Sequence, residues 1–436
     1  MGPERVELGA VMRRLEWAYL GVVLFLATGA AQPYYNMRGL DGEELVSGDP
    51  VVQLIWALLY GIAGFLVLRR RREILPLLRE NGLLLALTAF ACLSILWSAF
   101  PEMTARRGLA LLGTTLVGFY LGVRLQPREL LRLLAWVLGI ATVLSPVVVL
   151  LLPQFGIQSD PWAPPAWRGI FGHKNIFGRA MLLACAVWLS LALDSGGLRK
   201  GIALAFLGAS VSFLLLSRSV TSAVVLVTVL AALPVVLLVK RDRLLVLSLA
   251  SFLLGMTILT LAVIVGYQGY SLVERALTDY LGRNLTLTGR SVIWALVWQA
   301  VQRAPWLGYG YSAFWLGDLG PSQIVARSLG ANVAHAHNGF LGLWLELGLV
   351  GLLLFLGVLV HLGIRIIRWI RSGAEGGDFI FPLLFFAAFL LINMTETAAL
   401  TRNNIFWILF ITLSLLSSPS ALSRPGREAA RIHRSV

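Results

Sequence analysis

Runs of about 20 apolar residues recur along the chain, each closed by a short polar segment. That is the length an α-helix needs to cross a hydrocarbon core about 30 Å thick. The weak period-2 alternation of a membrane barrel is absent. The pattern predicts twelve spans, at roughly 17–33, 51–68, 82–99, 107–124, 131–153, 176–194, 201–217, 220–239, 244–267, 339–362, 379–397 and 403–418. The expected fold class is all-α: a polytopic integral membrane protein of about 12 transmembrane helices, built as a single domain over 1–436. One interruption, 268–338, is far longer than the ordinary loop of at most about 15 residues. It carries Tyr270, Tyr280, Trp294, Trp298, Trp306, Tyr309, Tyr311 and Trp315, a content that argues against disorder and suits a membrane–water boundary. Within it, Ile293, Val297, Ala300 and Val301 form an apolar stripe at helical spacing, stopped by Pro305. This predicts an amphipathic helix lying on the membrane, with Arg290 in its first turn.

Composition narrows the picture. Only 13% of residues are charged and 58% are hydrophobic, against about 25% charged in a soluble domain. A soluble globular enzyme and a disordered chain are both excluded. Cys92 and Cys185 each sit in an apolar run, where a thiol packs rather than reacts, so there is no disulfide framework. The net charge of +14 raises a nucleic-acid reading. Its distribution rejects that reading, because the basic residues fall in short clusters between apolar runs, such as Arg13 and Arg14, Arg69 to Arg72, Arg124 and Arg128, Lys240 and Arg241, Arg365 to Arg371, and the tail 424–434. By the positive-inside rule these segments are cytoplasmic, and an even number of spans then places both termini in the cytoplasm. The small residues Ala27 to Ala31 resemble a signal-peptide cleavage site. With so many spans following, the first is expected to stay as an anchor. No internal repeat supports an inverted-repeat transporter.

Four polar stretches fall on the outer face in this topology. They are Trp167-Arg168-Gly169-Ile170-Phe171-Gly172-His173-Lys174-Asn175, the turn Ser217-Arg218-Ser219, the segment Thr288-Gly289-Arg290, and His335-Ala336-His337-Asn338. Each lies at or near the start of a predicted helix. Helix N-termini carry unpaired N–H groups and about half a positive charge, so a cation repeatedly placed there is unfavourable unless an anion neutralises it. Phosphate suits both arginine forks and helix N-termini. Two such sites brought together would fit a diphosphate. Bland alternatives stand beside this reading. Arg218 also fits a side chain snorkelling to the interface, Arg290 an ordinary surface residue, His337 a satisfied neighbour of a helix cap. Glu346 and Glu396, both in predicted spans, must face protein or water. No metal site is expected, since His335 and His337 are two apart and no carboxylate cluster or cysteine accompanies them. There is no Walker loop, dinucleotide fingerprint or serine triad.

Together, Gly172-His173-Lys174-Asn175, Ser217-Arg218-Ser219, Thr288-Gly289-Arg290 with Trp294, Gly308-Tyr309-Gly310, and His337-Asn338-Gly339-Phe340 followed by Trp344-Leu345-Glu346-Leu347-Gly348-Leu349-Val350-Gly351 resemble the O-antigen ligase family. Its superfamily also holds O-antigen polymerases and oligosaccharyltransferases that glycosylate proteins. The resemblance spans about 170 to 405 and is most specific at the His-Asn-Gly step. It implies a bacterial inner-membrane glycosyltransferase of the GT-C type. Such an enzyme takes a polysaccharide from undecaprenyl diphosphate and transfers it to a sugar hydroxyl of lipid A–core, with inversion, on the periplasmic face. It needs no cofactor, metal or nucleic acid. The family's functional positions match at Arg218, Arg290 and His337. With Lys174, the two arginines are expected to hold the diphosphate, and His337 to act on the acceptor hydroxyl. His335, Asn338, Arg168, His173 and Asn175 are candidate supporting residues. A polymerase or protein glycosyltransferase of the same superfamily is the nearest alternative, and a transporter of lipids or anions the more distant one.

Overall fold

The computed structural model describes residues 3–30, 49–160, 163–238, 290–317, 320–329, 333, 335–371 and 377–422. The expected span 244–267, the part of the long loop over 268–289 and the basic tail 424–434 lie outside the described residues.

The described chain is mostly helical. In order it forms α1 (Pro3–Ala27), α2 (Pro50–Arg69), α3 (Arg71–Glu80), α4 (Gly82–Leu93), α5 (Pro101–Arg124) and α6 (Pro127–Leu151). A short hairpin follows, β1 (Ile157–Asp160) and β2 (Ala163–Trp167), paired antiparallel. Then come α7 (Lys174–Asp194), α8 (Gly197–Leu216) and α9 (Val220–Leu238). Last are α10 (Arg290–Arg303), α11 (Gln323–Leu329), α12 (Gly339–Arg371), α13 (Gly377–Thr395) and α14 (Ile405–Leu416). Their starts are written in the sequence. Asp49 caps α2 by accepting from the Val51 N–H at 2.7 Å, with Pro50 in the first turn. Gln126 and Glu129 form a capping box ahead of Pro127, and Asn404 caps α14 at 2.8 Å. Each cap satisfies N–H groups that the helix itself leaves open.

Five described helices are long and apolar enough to cross a membrane: α2, α6, α7, α8 and α12. The pair α3 and α4, bent by 91° at Asn81, makes a sixth if counted as one span. α9, α13 and α14 contain shorter apolar stretches. Large apolar side chains face outward on several of these helices, among them Leu58, Trp136, Leu150 and Val227. In water such a surface would aggregate; against lipid it is the expected exterior. With its apolar helices the chain is an integral membrane protein.

The core is centred on α14, all twelve of whose residues are buried, packed along α5. α7 lies against α6, α8, α9 and α13. One end of the bundle is bound by charges: Arg124 to Glu16 at 2.7 Å and Arg128 to Asp194 at 3.7 Å. On the same end the buried Arg365 donates to Asn81 Oδ1 (2.8 Å), Ser418 Oγ (3.0 Å), the Ser414 carbonyl (3.2 Å) and the Glu80 carbonyl (2.5 Å). This closes the bend at Asn81. The hairpin, α10, α11 and the start of α12 occupy the other end.

Two features depart from the expected pattern. The stripe Ile293, Val297, Ala300 and Val301 does not rest on lipid. It is buried in a second apolar cluster with Phe314, Val325, Ala336 and Leu345, so α10 is clamped onto the protein. Burying the stripe on protein rather than lipid also lets Trp294 donate to the Ala336 carbonyl at 2.9 Å. The second departure is in α12, which breaks at Gly348 (φ 66°, ψ −172°). The strand of chain from Pro305 to Gly310 fills the break. Tyr309 and Gly310 N–H groups donate to the Leu345 and Glu346 carbonyls (3.1 and 2.9 Å), and Leu349 and Val350 N–H groups donate to Pro305 and Trp306 (2.8 and 3.3 Å). The loop thus supplies the partners that the helix loses, as buried backbone requires.

Candidate active site

Three of the four polar stretches meet at the end of the bundle away from the Arg124–Glu16 pair, and specific contacts bring them together; of the Thr288-Gly289-Arg290 stretch only the start of α10 lies among the described residues. α7 begins at Lys174 because His173 caps it, its Nδ1 accepting from the Asn175 N–H at 3.1 Å. One turn in, Gly178 lets the Ser217–Ser219 turn pack directly on α7. A Cβ there would lie 2.6 Å from Ser219 Cβ and 2.9 Å from Ser217 Oγ. That turn is held by Ser217 Oγ, which accepts from the Ser219 N–H at 3.2 Å. It presents an exposed Arg218 in the left-handed region, at φ 50°.

His337 also has φ 50°. Left-handed backbone at a non-glycine residue costs about 1–3 kcal/mol and persists only where the surroundings impose it. Here the imposing contacts are visible. Asn338 Oδ1 accepts from the Phe340 and Leu341 N–H groups (3.1 and 3.0 Å), capping α12. The Trp294 indole holds the carbonyl of Ala336. Trp294 is four residues along α10 from Arg290, so the first turn of that helix lies beside the two histidines.

At the centre is Glu396, at the end of α13 and 3% exposed. His335 Nε2 lies 3.3 Å and His337 Nδ1 3.5 Å from the same oxygen, Oε2. The other oxygen accepts from Asn175 Nδ2 at 3.3 Å. The two imidazole rings are 4.1 Å apart, centre to centre. Arg179 of α7 donates to the Thr397 carbonyl at 3.5 Å and sets a guanidinium next to the carboxylate. Desolvation lowers the pKa of His335 below its usual 6.5, by more than its hydrogen bond to the Glu396 carboxylate raises it. The ring is therefore neutral at pH 7.

Of the candidate residues, Asn175, His335 and His337 gather on Glu396. Lys174 is buried in the first turn of α7, and its N–H donates to Gln158 Oε1 of β1 at 3.0 Å. The Ser217–Ser219 turn that carries Arg218 packs on α7 at Gly178, and α10 is tied to the His335–His337 segment through Trp294. Arg168, His173 and Asn338 do structural work: Arg168 ties the hairpin down through the Phe155 and Gln154 carbonyls (2.9 and 3.1 Å), and the other two cap helices. Glu396 and Arg179 were not among the expected site residues. The available signal for Glu396 was a carboxylate at the end of an apolar run, which must find a polar partner. His335, His337 and Glu396 present ligand atoms within 4.8 Å of one another, a spacing a metal ion could bridge. The Arg179 guanidinium opposes a dication there.

Two histidines, His337 with left-handed backbone and His335 desolvated, share one oxygen of the buried Glu396 carboxylate in a membrane protein, beside the N-termini of α7 and α12. Residues 202–356 match the sequence model of the family described as O-antigen ligase. The family is one of membrane glycosyltransferases. The matched segment holds Arg218, Arg290, His335 and His337, while Lys174, Asn175 and Glu396 lie outside it. A relative, the exopolysaccharide production protein ExoQ of Rhizobium meliloti (strain 1021), is 29% identical over 314 residues, which cover 69% of this chain and 68% of that protein.

Proposed function

We propose that the protein transfers a glycan from undecaprenyl diphosphate to a sugar hydroxyl, as an O-antigen ligase whose acceptor is lipid A–core. The observation that carries this reading is the convergence, at one end of the bundle, of the Arg218 turn, the start of α10 at Arg290, the N-terminus of α7 with Lys174, and His337. The cationic groups and helix N-termini hold the diphosphate and stabilise the charge that grows on it as the glycosidic bond breaks. His337 acts on the acceptor hydroxyl from the opposite side, so the anomeric centre inverts. In this reading the protein sits in the bacterial inner membrane with twelve spans, both termini cytoplasmic and the site periplasmic. No metal takes part.

A second reading has one specific observation in its favour. The relative ExoQ is named for exopolysaccharide production, which fits a polymerase whose acceptor is another lipid-linked repeat. The chemistry at the donor is the same, and only the acceptor differs. Purified protein in liposomes, given undecaprenyl-diphosphate-linked glycan with and without lipid A–core, separates the two. A new linkage to the core supports ligation. Longer lipid-linked chains formed without the core support polymerisation. Donor crossing the bilayer with no new glycosidic bond would exclude both in favour of a transporter.

A further inference from the structure

The inference drawn here rests on the functional reading above, in which His337 acts on the acceptor hydroxyl. We propose that Glu396 is the positioning residue of this site: its carboxylate fixes His337 in the tautomer with hydrogen on Nδ1, leaving the Nε2 lone pair to receive the acceptor's proton.

The geometry is specific. His337 Nδ1 is buried, makes no hydrogen bond within ordinary limits, and has Glu396 Oε2 3.5 Å away. A contact of that length before substrate binds is usual for a catalytic pair that tightens in the complex. The carboxylate itself is held from both sides. Asn175 Nδ2 occupies Oε1, and His335 Nε2 shares Oε2. Arg179 donates to the carbonyl of Thr397, the residue after Glu396, and its guanidinium offsets the negative charge of the carboxylate. The backbone under Glu396 is equally fixed. Asn393 Oδ1 accepts from the Ala398 and Ala399 N–H groups (3.0 and 2.9 Å), and its Nδ2 donates to the Phe389 carbonyl at 2.7 Å. Gly339, two residues after His337, lies against that same amide, where a side chain would collide with it. One asparagine thus sets both the carboxylate and the start of the helix that follows the imidazole.

The step this arrangement supports is balanced. The acceptor oxygen forms its bond to the anomeric carbon while the bond from that carbon to the diphosphate oxygen breaks, its electron pair leaving with undecaprenyl diphosphate. The hydroxyl proton passes to His337 Nε2. The imidazolium so formed carries a hydrogen on each nitrogen, the Nδ1 one facing Glu396, and loses the Nε2 proton to water. A carboxylate at Nδ1 therefore selects the reactive tautomer first and stabilises the cation afterwards, which is the work of a residue acting through the histidine.

The test uses the full chain in nanodiscs, with fluorescent undecaprenyl-diphosphate-linked oligosaccharide and lipid A–core, comparing wild type, Glu396→Gln and Glu396→Asp. A second arm needs no substrate: NMR of protein labelled with ¹⁵N-histidine reads which nitrogen of His337 carries hydrogen. Glu396→Gln is expected to lower kcat about 100-fold with KM for the donor nearly unchanged. Glu396→Asp is expected to recover part of that loss, and the Gln variant to shift His337 from the Nδ1–H form to a mixture. Unchanged kcat in Glu396→Gln, or an unchanged His337 tautomer, overturns the proposal. If Glu396→Gln does not fold, Glu396→Asp carries the same criteria at smaller amplitude. An inactive wild type whose His337 tautomer still depends on Glu396 would overturn the functional reading while leaving the pairing intact.

Discussion

Replacing Gly348 with Ala tests how the fold carries the site. Gly348 has φ 66° and ψ −172°, a region open essentially only to glycine, and forcing alanine into it costs about 1–3 kcal/mol. Its new methyl would also press on the Trp306 carbonyl and the Leu307 nitrogen, pushing the 305–310 loop out of the break. The hydrogen bonds from Leu349 to Pro305 and from Val350 to Trp306 would then be lost, at about 0.5–1.5 kcal/mol each. The total is about 2–6 kcal/mol. A protein of this size should lose roughly 2–7 °C in Tm, read by intrinsic tryptophan fluorescence in nanodiscs. Activity should fall as well, because that loop leads back to α10, whose Trp294 holds the Ala336 carbonyl between the histidines. Gly357 is the control on the same helix. A Cβ there meets only Leu83 Cδ1 at 3.8 Å, and Gly357→Ala should leave Tm unchanged. Equal behaviour of the two variants would refute the reasoning.

Gly178→Ala should spare folding more than catalysis, since its methyl pushes the Ser217–Ser219 turn and so displaces Arg218; KM for the lipid-diphosphate donor should rise in steady-state assays. Arg365→Met should lower Tm, because it strips the donor from Asn81, Ser418 and two carbonyls, leaving buried acceptors at about 1–3 kcal/mol each. Acidification should destabilise the protein through His335. Its folded pKa is lowered, so as pH falls below about 6.5 the unfolded chain takes up the proton first. The contribution is intact at pH 7 and above and is lost on the acid side. His335→Asn should flatten the Tm–pH curve there.

Much of this was legible in the sequence for simple reasons. Helices over the described spans follow from runs of apolar residues bounded by Asp49, Gln126 and Asn404 caps and by prolines. The polar stretches stood out because cations at helix starts are locally unfavourable. What stayed hidden depends on partners distant in the chain. Gly348 sits in an apolar run like any other small residue, and only the inserted 305–310 loop makes it a break. Asn81 reads as an ordinary polar residue until Arg365 is brought to it. The stripe on α10 has the period of a membrane-surface helix, and periodicity does not say whether lipid or protein covers it. Glu396 lies 59 residues from His337 in the sequence, and no local pattern joins them.

The most direct measurement of the central claim is a mass balance in single turnover: undecaprenyl diphosphate released against glycosidic bonds formed, for wild type and His337→Ala in the same liposomes. One molecule of lipid diphosphate per new linkage in the wild type, and neither product in the folded variant, is the predicted result. Wild-type rates of both products from His337→Ala would contradict the account.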